Sequence, residues 1–129
     1  METFTLKTTK PIEFIDITSE VQEILKKNNF ISGVCVIFIP HTTAAITVNE
    51  NADVNVRKDM IKEINKIVPL NDNYAHSEGN SAGHIKASLL GFSETIIVES
   101  GKLQLGTWQG IYFCEFDGPR ARQVWVKMI

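Results

Sequence analysis

From Gly91 to the last residue the chain offers almost nothing but strand-forming runs separated by tight turns, and this constrains the fold more than any other feature. Thr95–Glu99 leads into a Ser100-Gly101-Lys102 turn, Leu103–Phe116 follows, and Asp117-Gly118-Pro119 separates that run from Arg120–Met128. Strands joined by turns this short pair antiparallel, because a parallel pair needs a crossover of about a dozen residues or more. The C-terminal third is therefore expected to be an antiparallel β-structure against which the rest of the chain packs.

The first two thirds alternate strands with helices. Glu2–Thr9 sets Phe4 and Leu6 on one face and Thr3, Thr5 and Lys7 on the other, the two-residue period of a half-buried strand. A short strand over Ile12–Ile17 follows. Ser19 with Gln22 reads as a capping box for a helix over Glu20–Lys27, whose apolar stripe is Val21, Ile24 and Leu25. The continuous apolar run Gly33–Ile39 predicts a strand buried on both faces or lying at a subunit contact, and Ala44–Val48 predicts another. Val56, Met60, Ile61 and Ile64 recur at helical spacing over Val54–Val68, with Asp53 placed to cap and Pro69 to stop the helix. Asn80 or Ser81 can cap a third helix ending at Gly91. Strands outnumber helices and adjoin one another, so the expected class is α+β, with two antiparallel sheets, about three helices packed on one side, and one domain over residues 1–129.

Composition narrows the function classes. Hydrophobic residues at 43% and charged residues at 22% are those of an ordinary soluble domain. The longest apolar run, Val34–Pro40, is far short of the roughly 20 residues of a membrane-spanning helix, and no secretion signal opens the chain, so a cytoplasmic location is expected. A formal charge of −2 with interspersed signs argues against a general nucleic-acid binder, while leaving room for a small anionic ligand held by a few local cations. Cys35 and Cys114 stand in separate apolar runs and read as reduced core residues.

The candidate chemistry is concentrated in polar segments. All three histidines, His41, His76 and His84, lie in such segments, and two of them flank the glycine-bearing stretch between Asn71 and Lys86. A structureless loop as long as Pro69–Ser81 is usually functional. Imidazoles of this kind serve as metal ligands, zinc or magnesium being the ions considered, or as acid/base and hydrogen-bonding groups. Glu50 and Asp53 follow His41, and Glu115 and Asp117 fall in the last hairpin; such carboxylates orient imidazoles or act as bases, with helix capping by Asp53 and turn formation by Asp117 as the plainer roles. Lys86 and Arg120 are the cations placed to meet a phosphorylated metabolite, with Thr42 and Thr43 beside His41 as further anion-binding candidates. The glycines around Thr107-Trp108-Gln109 suggest a bulge or kink, with Trp108 in the core or in a subunit interface.

Together, His41-Thr-Thr-Ala, Asn49-Glu50, His76 with Glu78-Gly79-Asn80, His84-Ile-Lys86, Gly101-x-Leu-x-Leu-Gly-Thr-Trp-Gln109 and Glu115-x-Asp-Gly-Pro-Arg120 resemble the YjbQ-like family over almost the whole chain. The resemblance implies an α+β fold of two antiparallel sheets, a homotrimer, and a polar cleft in which His41, Asn49, Glu50, His76 and His84 gather. It also implies a weak thiamine-phosphate synthase activity, joining hydroxymethylpyrimidine diphosphate to a thiazole phosphate with release of diphosphate. Two other readings stand beside that one: a trimeric protein that binds a metal or an anionic metabolite without turnover, and a metal-assisted hydrolase.

Overall fold

In the last strand Arg122, Val124 and Val126 are buried while Ala121, Gln123 and Lys127 are exposed, the alternation of a pleated strand with one face on a core. The computed structural model describes all residues 1–129. Its elements, in chain order, are β1 (Glu2–Lys7), β2 (Glu13–Asp16), α1 (Thr18–Lys27), β3 (Gly33–Phe38), β4 (Ala44–Glu50), α2 (Val54–Ile67), α3 (Ser81–Leu90), β5 (Ser93–Glu99), β6 (Lys102–Leu103), β7 (Gln109–Glu115) and β8 (Ala121–Met128). Every pairing is antiparallel, in a five-stranded sheet β1-β8-β3-β5-β6 and a three-stranded sheet β2-β7-β4. The chain is an α+β domain with two antiparallel sheets and three helices, as its sequence predicts.

The two sheets share a core of Ile37, Ile46, Phe113, Val124 and Val126, to which α1 adds Val21 and Leu25. The middle strand of the small sheet, β7, is buried from Gly110 through Glu115. Its other face is covered by helices: Tyr112, Cys114 and Phe116 pack with Phe14, Ala45, Ala87 of α3 and the half-buried Met60, Ile61 and Ile64 of α2. The two cysteines are free and buried, and burial pushes their thiols up, Cys35 to about 11.

Several local expectations are corrected. The strand buried on both faces within the chain is β7; in β3 Cys35 and Ile37 are buried but Phe38 stays 40% exposed, so of the two alternatives for that run burial on both faces within one chain does not hold. The outward face of the large sheet carries Val34, Val36, Phe38, Ile97 and Trp125, with Phe38 stacked on Trp125 at 5.8 Å between centroids. The run Leu103–Phe116 is broken: Gln109 N–H donates to Gly106 O (3.0 Å) and Gly106 N–H to Gln109 Oε1 (2.8 Å), closing a turn that carries the chain from the large sheet to the small one. Trp108, in that turn, is 62% exposed and not in the core. No capping box forms at Ser19, because Asp16 Oδ1 takes the Thr18 N–H and Gln22 instead ties the β5–β6 turn through Gly101 O and Leu103 N–H. Asp53 does cap α2, accepting from Asn55 N–H at 2.9 Å.

Candidate functional site

Helix α3 sits against the end of β7 at Gly83, where an added Cβ would lie 2.9 Å from Phe116 O. This close approach brings the first turns of α3 over a cavity of about 410 Å³, lined on one side by Asn80, Gly83, Lys86, Phe116 and Asp117. Lys86 is only 3% exposed. Its ammonium donates to Asn65 Oδ1 (2.6 Å) at the end of α2 and lies 6.0 Å from the centroid of the Phe116 ring. Burial pushes its pKa down, and no carboxylate pairs with it. The acid beside it is committed elsewhere: Asp117 Oδ2 accepts from Arg120 Nη2 (3.1 Å) and from Asn80 Nδ2 (2.9 Å). Asn80 Nδ2 is thus engaged by Asp117 while its Oδ1 is buried without a partner, and the start of α3 has no side-chain cap.

A second polar cluster lies where β1, β4, β7 and β8 meet. Glu115 and Arg122 form an ion pair that is 0% and 3% exposed at the side chain, with Arg122 Nε 2.8 Å from Glu115 Oε2 and Nη2 on Oε1. The Thr8 hydroxyl donates to Glu115 Oε2 (2.9 Å) and receives Arg120 N–H (2.9 Å), while Arg122 Nη2 also donates to Thr43 Oγ1 (2.9 Å) and Thr43 O (3.3 Å). Asp117 N–H donates to Glu115 Oε1 (2.9 Å), which links this cluster to the rim of the cavity.

His41 borders the same cluster. Pairing of β3 with β8 ends at Phe38–Trp125, just before Pro40, and the imidazole Nε2 of His41 takes over as acceptor for Gln123 N–H at 2.8 Å. Burial pushes the His41 pKa down from 6.5, and the Arg122 guanidinium pushes it further. The folded state thus favours neutral His41, so its contribution to stability is present in full above about pH 6.5 and is lost as pH falls through the lower folded-state value. Stability of the parent in urea is expected to weaken as pH falls below 6.5 more steeply than that of His41→Gln, which keeps an acceptor and cannot titrate; parallel pH profiles would assign the acid sensitivity elsewhere.

The expected site residues divide into four places. Lys86 belongs to the cavity, and Arg120 to its rim through Asp117. Thr43 is consumed by Arg122, whereas Thr42 is exposed beside it. His76 and His84 pair edge to face with centroids 5.6 Å apart, and His76 Nε2 is 3.7 Å from Glu78 Oε2. Asn49 and Glu50 end β4, roughly 20 Å along the strand from Thr43 at about 3.4 Å per residue; there Asn49 Oδ1 accepts Glu50 N–H and Glu50 O accepts the Tyr112 hydroxyl. No three His, Cys, Asp or Glu side chains come together as a metal-holding group, and His41 Nε2 is committed to a backbone donor. The donors of one chain therefore do not fit a metal on their own. Arg122, Thr8 and Asn65 escaped the sequence reading; for Arg122 the signal was its place in the inward series Arg122, Val124, Val126.

Fold and site define a two-sheet α+β protein with a cation-bearing polar cavity beside its third helix. The family model described as UPF0047 protein YjbQ-like matches residues 2–129, and the chain belongs to that family. It is 52% identical to UPF0047 protein YugU of Bacillus subtilis, over 100% of this chain and 98% of that protein. It is 42% identical to UPF0047 protein YjbQ of Salmonella typhimurium, over 86% of each. Among solved structures, an uncharacterized conserved protein of the family from Clostridium acetobutylicum superposes with a TM-score of 0.98 at 53% identity, covering 100% of both chains. A YbjQ-like protein of unknown function from Sulfolobus solfataricus superposes at 0.94 with 33% identity, over 98% of this chain and 94% of that one.

Proposed function

We propose that the protein is a small metabolic enzyme that takes a phosphorylated substrate into the Lys86 cavity, and that its reaction is a thiamine-phosphate synthase-type transfer. The observation that carries the reading is the buried Lys86 ammonium, which meets one neutral amide oxygen and an aromatic ring but no carboxylate. A buried charge is costly until it is paired, and a phosphate oxygen supplies the missing partner. In the proposed step the thiazole ring nitrogen attacks the methylene carbon of hydroxymethylpyrimidine diphosphate. The carbon–oxygen bond to diphosphate breaks, and diphosphate leaves with the electron pair. Lys86 neutralises phosphate oxygens, Arg120 stands at the rim, and His84, in the first turn of α3 beside His76, hands a proton to the departing diphosphate.

The same Lys86 observation supports a second reading, a protein that holds an anionic metabolite without turnover. Glu50 favours it, since it stands at the opposite end of β4 from the cluster around Thr43. In either reading we propose a homotrimer, supported by the apolar outward face around Phe38, Ile97 and Trp125. A divalent ion enters only with such an assembly, where His76 and His84 would supply two ligands and a neighbouring copy a third; no step above is routed through it.

Thermal unfolding with phosphate, diphosphate, hydroxymethylpyrimidine diphosphate and thiazole phosphate, followed by assay of thiamine phosphate as thiochrome fluorescence, separates the readings. A raised midpoint with product formed supports the transferase. A raised midpoint without product leaves the binding protein, and a midpoint that no anion moves removes both. A ligand at 100 times its Kd stabilises by about 2.7 kcal/mol, well within reach of the measurement.

A further inference from the structure

The cluster at the start of β8 holds two donors with no acceptor in the chain. Arg122 uses Nε and Nη2 on Glu115 and Thr43, but its Nη1, with two N–H groups, has no hydrogen-bond partner. The side chain is 3% exposed, and Nη1, without a partner, is not fully enclosed. His41 supplies the second donor. Because Nε2 accepts the Gln123 N–H, the ring proton of the neutral imidazole resides on Nδ1, and Nδ1 has no acceptor in the chain. The hydrogen bond to a backbone amide fixes the tautomer and the ring orientation together.

The surroundings give these donors no acceptor of their own. Both Glu115 oxygens are occupied, by Thr8, Arg122 and the Asp117 N–H. The Thr43 hydroxyl and carbonyl accept from Arg122, and Asp117 is held by Arg120 and Asn80. Donors without acceptors, one of them on a buried guanidinium that cannot be deprotonated, define the chemistry of the group that completes them.

We infer that Arg122 Nη1 and the Nδ1–H of His41 form an oxyanion-binding site, separate from the Lys86 cavity, that takes a phosphate or carboxylate group. The ion pair with Glu115 holds the guanidinium in place before the ligand arrives, so little side-chain entropy is lost on binding. Thr42, exposed next to His41, is the hydroxyl nearest in sequence to the mouth of this site. The inference does not depend on what binds at Lys86, and it holds whether the protein turns a substrate over or only retains it.

The test is imidazole NMR on protein labelled with nitrogen-15, in the parent and in Lys86→Met so that occupancy of the cavity cannot be mistaken for binding here. His41 is expected to show the Nδ1–H tautomer, and its Nδ1 resonance to move saturably as inorganic phosphate or acetate is added at constant pH and ionic strength. Arg122→Lys, which keeps a cation for Glu115 but has no Nη1, is expected to weaken that binding about tenfold. Phosphate and acetate titrations in parallel show which geometry the site prefers. Should Arg122→Lys fail to fold, the folded Lys86→Met protein decides alone: an Nε2–H tautomer, or a His41 signal equally unmoved by phosphate, acetate and chloride, overturns the site.

Discussion

Glu115→Ala is expected to destabilise the protein by about 3–5 kcal/mol, the cost of leaving one partner of a buried ion pair without the other. Arg122 would keep its charge at 3% exposure with only the Thr43 oxygens to face, while Thr8 and the Asp117 N–H would lose their acceptor. A domain of this kind has about 5–15 kcal/mol to lose, so the variant should unfold at a markedly lower urea concentration than the parent. Glu115→Leu combined with Arg122→Met should recover most of the loss, because two apolar side chains of similar volume leave no uncompensated charge in the core. If Glu115→Ala cost less than about 1 kcal/mol in urea, the cluster would be solvated in solution and its role in holding β1, β4, β7 and β8 together would fall.

The double variant also bears on why the pair exists. An apolar replacement that is equally stable would lack the guanidinium, so its stability would be retained while the oxyanion site at Nη1 is lost. Stability alone does not then explain a charged pair between these strands. Its place beside His41 and the first residues of β8 ties the polar core to a surface that can meet a ligand.

Much of the fold was legible because the sheets obey a local rule. Alternation in Glu2–Lys7 and in β8, the Ser100-Gly101 turn and the Asp117-Gly118-Pro119 turn each specify geometry with a few neighbouring residues, and the structure follows them. The helix over Val54–Ile67 was legible for the same reason, from its apolar spacing and Asp53. What escaped depends on partners far away in sequence. Gln22 reads as half of a capping box, yet its amide is claimed by residues 79 and 81 positions further on. The break before β7 rests on a side-chain bond from Gln109 within a run that strand propensity would carry straight through. Arg122 escaped notice because a charged residue is buried only when a partner such as Glu115 awaits it, and that partner belongs to another sheet. The site is less legible still: the sequence brings out the histidines, whereas the group that makes the cavity chemically distinctive is the environment of Lys86, set by Asn65, Gly83 and Phe116.

That environment leads to an expected result with opposite signs for binding and stability. Lys86→Met should lower affinity for phosphorylated ligands by roughly tenfold to a hundredfold, the worth of a charge-assisted hydrogen bond of about 1.5–3 kcal/mol. It should leave the folded protein as stable as the parent or more so. The folded-state pKa of Lys86 lies below 10.5, so holding it as an ammonium opposes folding at every pH below that lowered value, and the opposition is relieved only between it and 10.5. Methionine fills a similar volume without the charge, and the amide it abandons, Asn65, is exposed and can turn to water. Isothermal titration with diphosphate and urea unfolding at neutral pH measure the two halves. A lysine retained for structure would show the reverse pattern, lost stability with unchanged affinity, and that pattern would remove the anion from the cavity. The expected pattern, weaker binding in a protein no less stable, would mean that the chain tolerates an unfavourable buried cation because a phosphorylated ligand completes it.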